Sequence, residues 1–128
     1  MFYDSYEDVN LNTWPSRYFK PKELASKGDG SLLVDFEALA RLEYLRQLIG
    51  KPLYINSAYR DPIHNARVGG APMSMHKFGK AFDISIRNVD KFELERLAKQ
   101  VGFTGFGYYN TFLHVDTGRA RWWGKKWT

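Results

Sequence analysis

The sequence predicts an α+β fold in which helices pack on a small, mainly antiparallel sheet. Segments with helical spacing alternate irregularly with short segments of strand-like alternation, and no regular βαβ repeat is present. The chain has 128 residues, of which 44% are hydrophobic and 16% aromatic, so a single domain with a modest core is expected. Within that domain, residues 1–18 are predicted to form an N-terminal extension that follows the surface, and residues 119–128 a basic aromatic tail.

Four helical segments are predicted from apolar spacing and from end signals. Pro21 suits the first position of a short helical turn, and Asp61-Pro62 opens another helix that ends at Gly69-Gly70. Gly50 ends the first long helix, because glycine tolerates the left-handed conformation at a helix end. The predicted segments span residues 19–24, 35–49, 61–70 and 89–101.

Four strands are predicted, over residues 53–57, 80–86, 103–109 and 112–116. In the second and fourth strands apolar residues alternate with small or polar ones, so each of these two strands has one apolar face. Asp83 in the second strand, and His114 and Asp116 in the fourth, lie on the opposite, polar faces. A carboxylate backed by apolar neighbours is costly to bury unless it is paired or metal-bound.

Composition narrows the possible functions. The chain has no cysteine, which excludes disulfides and leaves His, Asp and Glu as metal ligands. No apolar run approaches the roughly 20 residues that span a bilayer. The start Met1-Phe2-Tyr3-Asp4 resembles no secretory signal, so we expect synthesis in a cytoplasm and delivery by another route. The net charge of +5 suits an anionic polymer but does not by itself select a partner.

Two histidines and one aspartate form a candidate metal site. His76 lies in a loop seven residues before Asp83, and His114 lies on the other polar strand face. If the two strands are neighbours, these side chains make a two-His, one-carboxylate set, which zinc accepts with a fourth position open for water. The alternative for each residue alone is a hydrogen-bonded structural role.

Several motifs carry a resemblance to a known family. Residues 74–83 match S-x-H-x-x-G-x-A-x-D, residues 57–60 read S-A-Y-R, and residues 65–71 match N-x-x-V-G-G-A. The segment H-V-D-T-G at 114–118 is followed by Arg121 and Trp123. Together they resemble the zinc D-Ala-D-Ala carboxypeptidase family, which includes phage endolysins and shares its fold with the Hedgehog signalling domain.

The resemblance implies zinc as cofactor, with His76, Asp83 and His114 as its ligands. It implies that Arg60 faces the substrate and stabilises negative charge, the alternative being a salt bridge with Asp61 or another acid. Ser74 either contacts substrate or only caps its turn.

The implied function is hydrolysis of peptide bonds in peptidoglycan stem peptides, by a D,D-carboxypeptidase or by an endopeptidase of the endolysin type. Peptidoglycan peptide is then the partner, and a phage or prophage origin would explain delivery to the cell wall. We expect a monomer without a specific nucleic-acid partner. The alternative function is a non-catalytic peptidoglycan-binding or phage structural module that keeps the fold.

The chain departs from the family at one position. Many members carry an acid three residues before the last histidine, where this chain has Thr111. Asp116 is the nearest replacement, and it could act as general base or orient a ligand.

His64 is expected at the surface rather than in the site. The tail is expected either to contact sugars or anionic polymer, or to pack its tryptophans on the core.

Overall fold

The structure, a computed structural model, describes residues 1–127 and is α+β, which confirms the predicted fold class. It contains the helices α1 (Pro21–Leu24), α2 (Phe36–Ile49), α3 (Pro62–Arg67) and α4 (Lys91–Gln100). It contains the strands β1 (Phe2–Tyr3), β2 (Leu32–Leu33), β3 (Ile55–Ser57), β4 (Ala81–Ser85), β5 (Gly105–Tyr108), β6 (Phe112–Asp116) and β7 (Arg121–Gly124). Short 3₁₀ turns span Tyr6–Asp8 and Met75–Phe78. Over residues 1–127, none of the helices has the length and apolar character that crossing a membrane requires.

Five strands form the main sheet in the order β3-β4-β6-β5-β7. Its neighbouring strands are antiparallel except β5 and β7, which are parallel, so the mainly antiparallel prediction is confirmed. The pairing of β4 with β6 places Asp83 opposite His114. The two polar strand faces predicted from alternation therefore lie side by side near the middle of the sheet.

The core lies on the other face of this sheet, beneath α2 and α4. Alternate residues of β4, β5 and β6 point into it, because side chains of a strand alternate between faces. Burying one aliphatic side chain of this kind stabilises the fold by about 1.5–3 kcal/mol. The most completely buried aliphatic residues are Leu32, Leu42, Leu45, Ile84, Leu94, Leu113 and Val115.

The two long helices begin and end close to the predicted positions. Asp35 caps α2 by accepting a hydrogen bond from the Ala38 N–H at 2.9 Å, and Asp90 caps α4 in the same way. Gly50 ends α2 with a left-handed φ of 75°. These caps explain why helix boundaries were visible in the sequence.

The sequence analysis missed three strands: β1 and β7, which lie near the two ends of the described residues, and β2, which lies between α1 and α2. The N-terminal segment does not simply follow the surface, because β1 pairs with β2 and the Met1 amino group donates to the Val34 carbonyl at 2.8 Å. The tail also contains a strand, β7, which extends the main sheet beside β5. None of the three shows a clear alternation of apolar and polar residues, since β1 and β2 have two residues each and β7 reads Arg-Trp-Trp-Gly.

Candidate metal centre

A buried cluster of two histidines and one aspartate lies on the polar face of the main sheet. Asp83 and His114 are direct partners in the register of β4 and β6, and His76 reaches them from the 3₁₀ turn before β4. Asp83 Oδ1 is 3.1 Å from His76 Nε2 and 3.0 Å from His114 Nδ1. One ligand atom from each residue lies within 4.8 Å of the others. The structure thus brings together the three residues predicted as ligands.

Hydrogen bonds on the outer side of each imidazole determine which nitrogen faces the cluster. His76 Nδ1 lies 2.6 Å from the carbonyl oxygen of Ala58, which can only accept, so this nitrogen carries the proton. His114 Nε2 lies 2.7 Å from Asp116 Oδ2, which accepts the proton of that ring. The lone pairs of His76 Nε2 and His114 Nδ1 therefore both point at Asp83.

This donor set fits a divalent metal such as zinc. Two imidazole lone pairs and a carboxylate oxygen that face one another, with no proton between them, are stabilised by a cation. Zinc ligands stand about 2.0–2.2 Å from the metal, so two of them in a tetrahedral shell are about 3.3 Å apart. The contacts of Asp83 Oδ1, at 3.0 and 3.1 Å, are close to that separation.

The electrostatics of the cluster agree with this fit. Burial alone raises the pKa of Asp83, but the adjacent imidazoles of His114 and His76 outweigh it and hold the pKa well below its ordinary value. Burial lowers the pKa of His114, whereas the carboxylates of Asp116 and Asp83 raise it above its ordinary value. A proton and a metal ion therefore compete for His114 Nδ1.

Arg60 contacts the oxygen of Asp83 that points away from the histidines. Its Nη2 donates to Asp83 Oδ2 at 3.2 Å, and its Nε donates to Ser57 Oγ at 3.0 Å. The alternative prediction for Arg60 was a salt bridge with Asp61 or another acid, and the acid in the structure is not Asp61, which accepts from the Ser26 hydroxyl. Arg60 pairs with another acid, Asp83, and its guanidinium lies at the edge of the cluster.

Asp116 is held by an arginine that reaches across a neighbouring strand. Its side chain is fully buried, and Arg121 of β7 binds both carboxylate oxygens at 2.7 and 2.8 Å. The same oxygens accept from the Gly118 N–H and from His114 Nε2. Burial raises the pKa of Asp116, but the His114 and Arg121 hydrogen bonds lower it below its ordinary value. The contact needs a glycine at 105, where a Cβ would come within 2.1 Å of both partners.

A second set of side-chain contacts crosses β5 at Gly107, two residues after Gly105. Trp123 of β7 and His114 of β6 both lie opposite Gly107 of β5, and their rings are 4.8 Å apart. A Cβ at Gly107 would lie 2.7 Å from the indole, so only glycine lets the indole lie over β5. The Trp123 Nε1–H donates to the Tyr109 hydroxyl at 2.8 Å, and Tyr109 stacks on Phe112 with ring centroids 4.3 Å apart.

The cluster opens into a cleft of about 820 Å³, a size typical of small-molecule and peptide sites. One wall comes from the segment that follows α3, and the other from β7 and the turns that precede β6 and β7. The polar side chains that line it are Arg60, Ser74, His76, Asp83, Tyr109, His114, Arg119 and Arg121. Such a cleft can hold a peptide against a bound metal.

The sequence profile of the peptidase M15 family matches residues 17–116 of this chain. The chain belongs to the peptidase M15 family. This confirms the family that the motifs predicted. His76, Asp83, His114 and Arg60 all fall inside the matched range, whereas β7 lies beyond it.

Two curated proteins are similar in sequence to this chain. This M15 family member is 35% identical over 121 residues to the zinc D-Ala-D-Ala carboxypeptidase of Streptomyces albus G, covering 90% of the chain and 46% of the relative. It is 34% identical over 97 residues to the peptidoglycan L,D-endopeptidase MepK of Escherichia coli strain K12, covering 69% of the chain and 52% of the relative. The chain spans about half the length of the curated relatives it matches.

The remaining predicted residues of this M15 family member have distinct positions. Ser74 Oγ accepts from the His76 N–H at 3.2 Å, which caps the 3₁₀ turn, and Ser74 also lines the cleft. Thr111 lies between β5 and β6 and lines a separate pocket together with Asn56. His64 lies in α3, outside the metal cluster.

Sequence reasoning missed the role of β7 in the site. Arg121 and Trp123 were noted as part of a motif, and Tyr109 was assigned only to a strand. The available signal was the pair Gly105 and Gly107, which leaves one face of β5 bare. A bare strand allows side chains of one neighbour to reach those of the other.

Proposed function

We propose that this chain is a zinc-dependent peptidase that hydrolyses peptide bonds in the stem peptides of bacterial peptidoglycan. The observation that carries the proposal is the convergence of His76 Nε2, Asp83 Oδ1 and His114 Nδ1 on the floor of an open cleft. Membership of the M15 family supports the reaction class. The names of the relatives support zinc as the metal and peptidoglycan as the substrate.

In this proposal His76, Asp83 and His114 bind the metal, and hydrogen bonds with neighbouring groups orient the two histidines. Bound zinc supplies a Lewis acid that polarises a carbonyl group and lowers the pKa of water. His76 is fixed by the Ala58 carbonyl, and His114 by Asp116, so both rings are oriented before the metal arrives. Preorientation of this kind strengthens metal binding.

Arg60 is proposed to bind the substrate. It lines the cleft beside Asp83, and its planar guanidinium suits a carboxylate or the negative charge that develops on a carbonyl oxygen during hydrolysis. Arg119 also lines the cleft, and the chain has a net charge of +5. A cationic cleft favours stem peptides, which carry free carboxylates.

Asp116 is proposed to position His114 rather than to accept a proton from water. Both of its oxygens are engaged by Arg121, and each accepts a further hydrogen bond, from His114 or from Gly118. A carboxylate with this many donors is a weak base. Its contacts therefore favour the orienting alternative.

Metal analysis tests the ligand assignment. We expect the purified protein to bind about one zinc per chain, and His76→Ala, Asp83→Ala and His114→Ala each to lose stoichiometric binding, because two remaining ligands make a weak site. His64→Ala is the matched control, since it removes an imidazole outside the cluster and should retain zinc. Full zinc content in any of the three ligand variants would exclude that residue as a ligand.

Hydrolysis of defined muropeptides, followed by mass spectrometry, tests the activity. Loss of a terminal D-alanine indicates a carboxypeptidase, and cleavage within the stem or cross-link indicates an endopeptidase. Both products are compatible with the relatives, which differ in the bond that their names specify. Zinc-loaded protein that binds muropeptides without cleaving any of them would contradict the proposal and favour a non-catalytic wall-binding module.

A further inference from the structure

A phenol hydroxyl is presented to the cleft on the side of His114. Tyr109 lines the cleft, is 39% exposed, and lies parallel to the Phe112 ring with an interplanar angle of 11°. The residue follows directly after β5 and is held to β6 by a hydrogen bond from its N–H to the Phe112 carbonyl at 3.2 Å. Its ring is therefore fixed on two sides while its edge remains accessible.

The orientation of the hydroxyl is set by Trp123. The indole Nε1–H can only donate, so at 2.8 Å the Tyr109 oxygen is the acceptor. That leaves the phenol's own proton for another partner, and no side chain or carbonyl within residues 1–127 accepts it. The same indole packs against His114, so Trp123 connects the position of the hydroxyl to that of a metal ligand.

The other polar groups of the cleft leave a role for this hydroxyl. Thr111 lies outside the cleft and lines a different pocket. The Asp116 oxygens are engaged by Arg121, and Ser74 Oγ caps the turn of His76. Tyr109 thus brings to the cleft a hydroxyl proton that is not committed to a partner within residues 1–127.

We propose that Tyr109 is a catalytic residue of the cleft whose hydroxyl donates a hydrogen bond to the carbonyl oxygen of the scissile peptide, and that Trp123 positions it. This proposal rests on the proposed peptidase function. Negative charge develops on that oxygen when the carbonyl becomes tetrahedral, so a donor fixed beforehand lowers the barrier. The hydrogen bond is then stronger in the transition state than with the bound substrate.

Kinetics of two variants test the assignment. Tyr109→Phe removes only the hydroxyl, and we expect kcat to fall about a hundredfold with little change in KM, in zinc content or in melting temperature. Trp123→Phe keeps an aromatic ring beside His114 but removes the indole N–H, so kcat should fall by a smaller factor in the same direction. Tyr44→Phe, on the exposed side of α2, is the control and should match the wild type.

A binding measurement separates this proposal from the function on which it rests. A phosphinate dipeptide mimics the tetrahedral state, and Tyr109→Phe should weaken its calorimetric affinity about tenfold or more, while Tyr44→Phe should not. Wild-type kcat and wild-type phosphinate affinity in Tyr109→Phe would overturn the assignment and leave the peptidase function intact. A wild-type protein that neither hydrolyses muropeptides nor binds the phosphinate would refute the proposed function and this proposal with it.

Discussion

Two buried aspartates show how the surroundings of a residue decide its chemistry. Asp83 directs one oxygen at two imidazole lone pairs, whereas every hydrogen-bonding position observed on Asp116 is directed at Arg121, Gly118 or His114. Asp83, His76 and His114 could be predicted as ligands from the sequence, because each lies in a short motif that resembles the family. The partner of Asp116 could not be predicted in this way, since Arg121 reaches it across another strand.

Asp116→Asn tests the positioning role. We expect zinc affinity to fall by about ten- to a hundredfold, because the variant loses the charge that holds His114 and Arg121 in place. Competition with a chromophoric chelator measures the affinity, and activity should return when zinc is added in excess. Asp90→Asn is the control, since asparagine caps a helix as well as aspartate and α4 lies on the other face of the sheet.

The general-base alternative makes the opposite prediction for the same variant. Under it, Asp116→Asn would keep its affinity for zinc and hydrolyse slowly even at saturating metal. That result would exclude the positioning role and make Asp116 the general base.

At the scale of elements, local signals account for α2 and α4 but not for β7. Periodicity, an Asp cap and a terminal glycine are all contained within the sequence of a helix, as Asp35 and Gly50 show for α2. The strand β7 instead depends on a parallel pairing with β5 and on the room left by two glycines. The tail was predicted either to contact sugars or anionic polymer or to pack its tryptophans on the core, and neither alternative placed Trp123 against His114.

A double-mutant cycle tests the fit between β5 and β7. Gly107→Ala should lower the free energy of unfolding by about 1–3 kcal/mol, because the added Cβ would collide with the Trp123 indole. Trp123→Ala removes the indole atoms nearest to that Cβ. In this background Gly107→Ala should therefore lower the free energy of unfolding much less. Urea unfolding of the four proteins provides the free energies.

Equal costs of Gly107→Ala in the two backgrounds would contradict this account. The glycine would then matter for the backbone of β5 itself, and the indole would have to be accommodated elsewhere.

At the scale of the whole molecule, the two faces of the main sheet have different surroundings: one packs on the apolar core, and the other carries the polar cluster. Helices α2 and α4 cover one face with apolar contacts, and the opposite face carries the buried ionisable cluster and the cleft. The fold class follows from the pattern of elements, but the strand order does not. That order depends on contacts between segments distant in sequence, such as β4 with β6, which no local pattern encodes.

Metal binding should therefore stabilise the whole molecule. Zinc binds the folded chain, in which the three ligands converge, and at about a hundredfold excess of free zinc over its Kd it adds about 2.7 kcal/mol to the free energy of unfolding. We expect the melting temperature, measured by circular dichroism, to rise with zinc and to fall with a chelator.

The variant His114→Ala provides the control for this measurement, because it should show no zinc-dependent shift. A wild-type melting temperature that does not depend on zinc would contradict a metal site assembled by folding.

Because β7 lies after β4, β5 and β6 in the sequence, its residues are synthesised after the residues that they contact in those strands. Synthesis proceeds from the N-terminus, so Arg121 and Trp123 leave the ribosome after every other residue of the cluster and its supports. Until they arrive, His114 lacks the indole beside it and Asp116 lacks its cation. A nascent chain can thus pair β4 with β6 before His114 and Asp116 are fully oriented, so the final geometry of the cluster forms only after β7 has emerged.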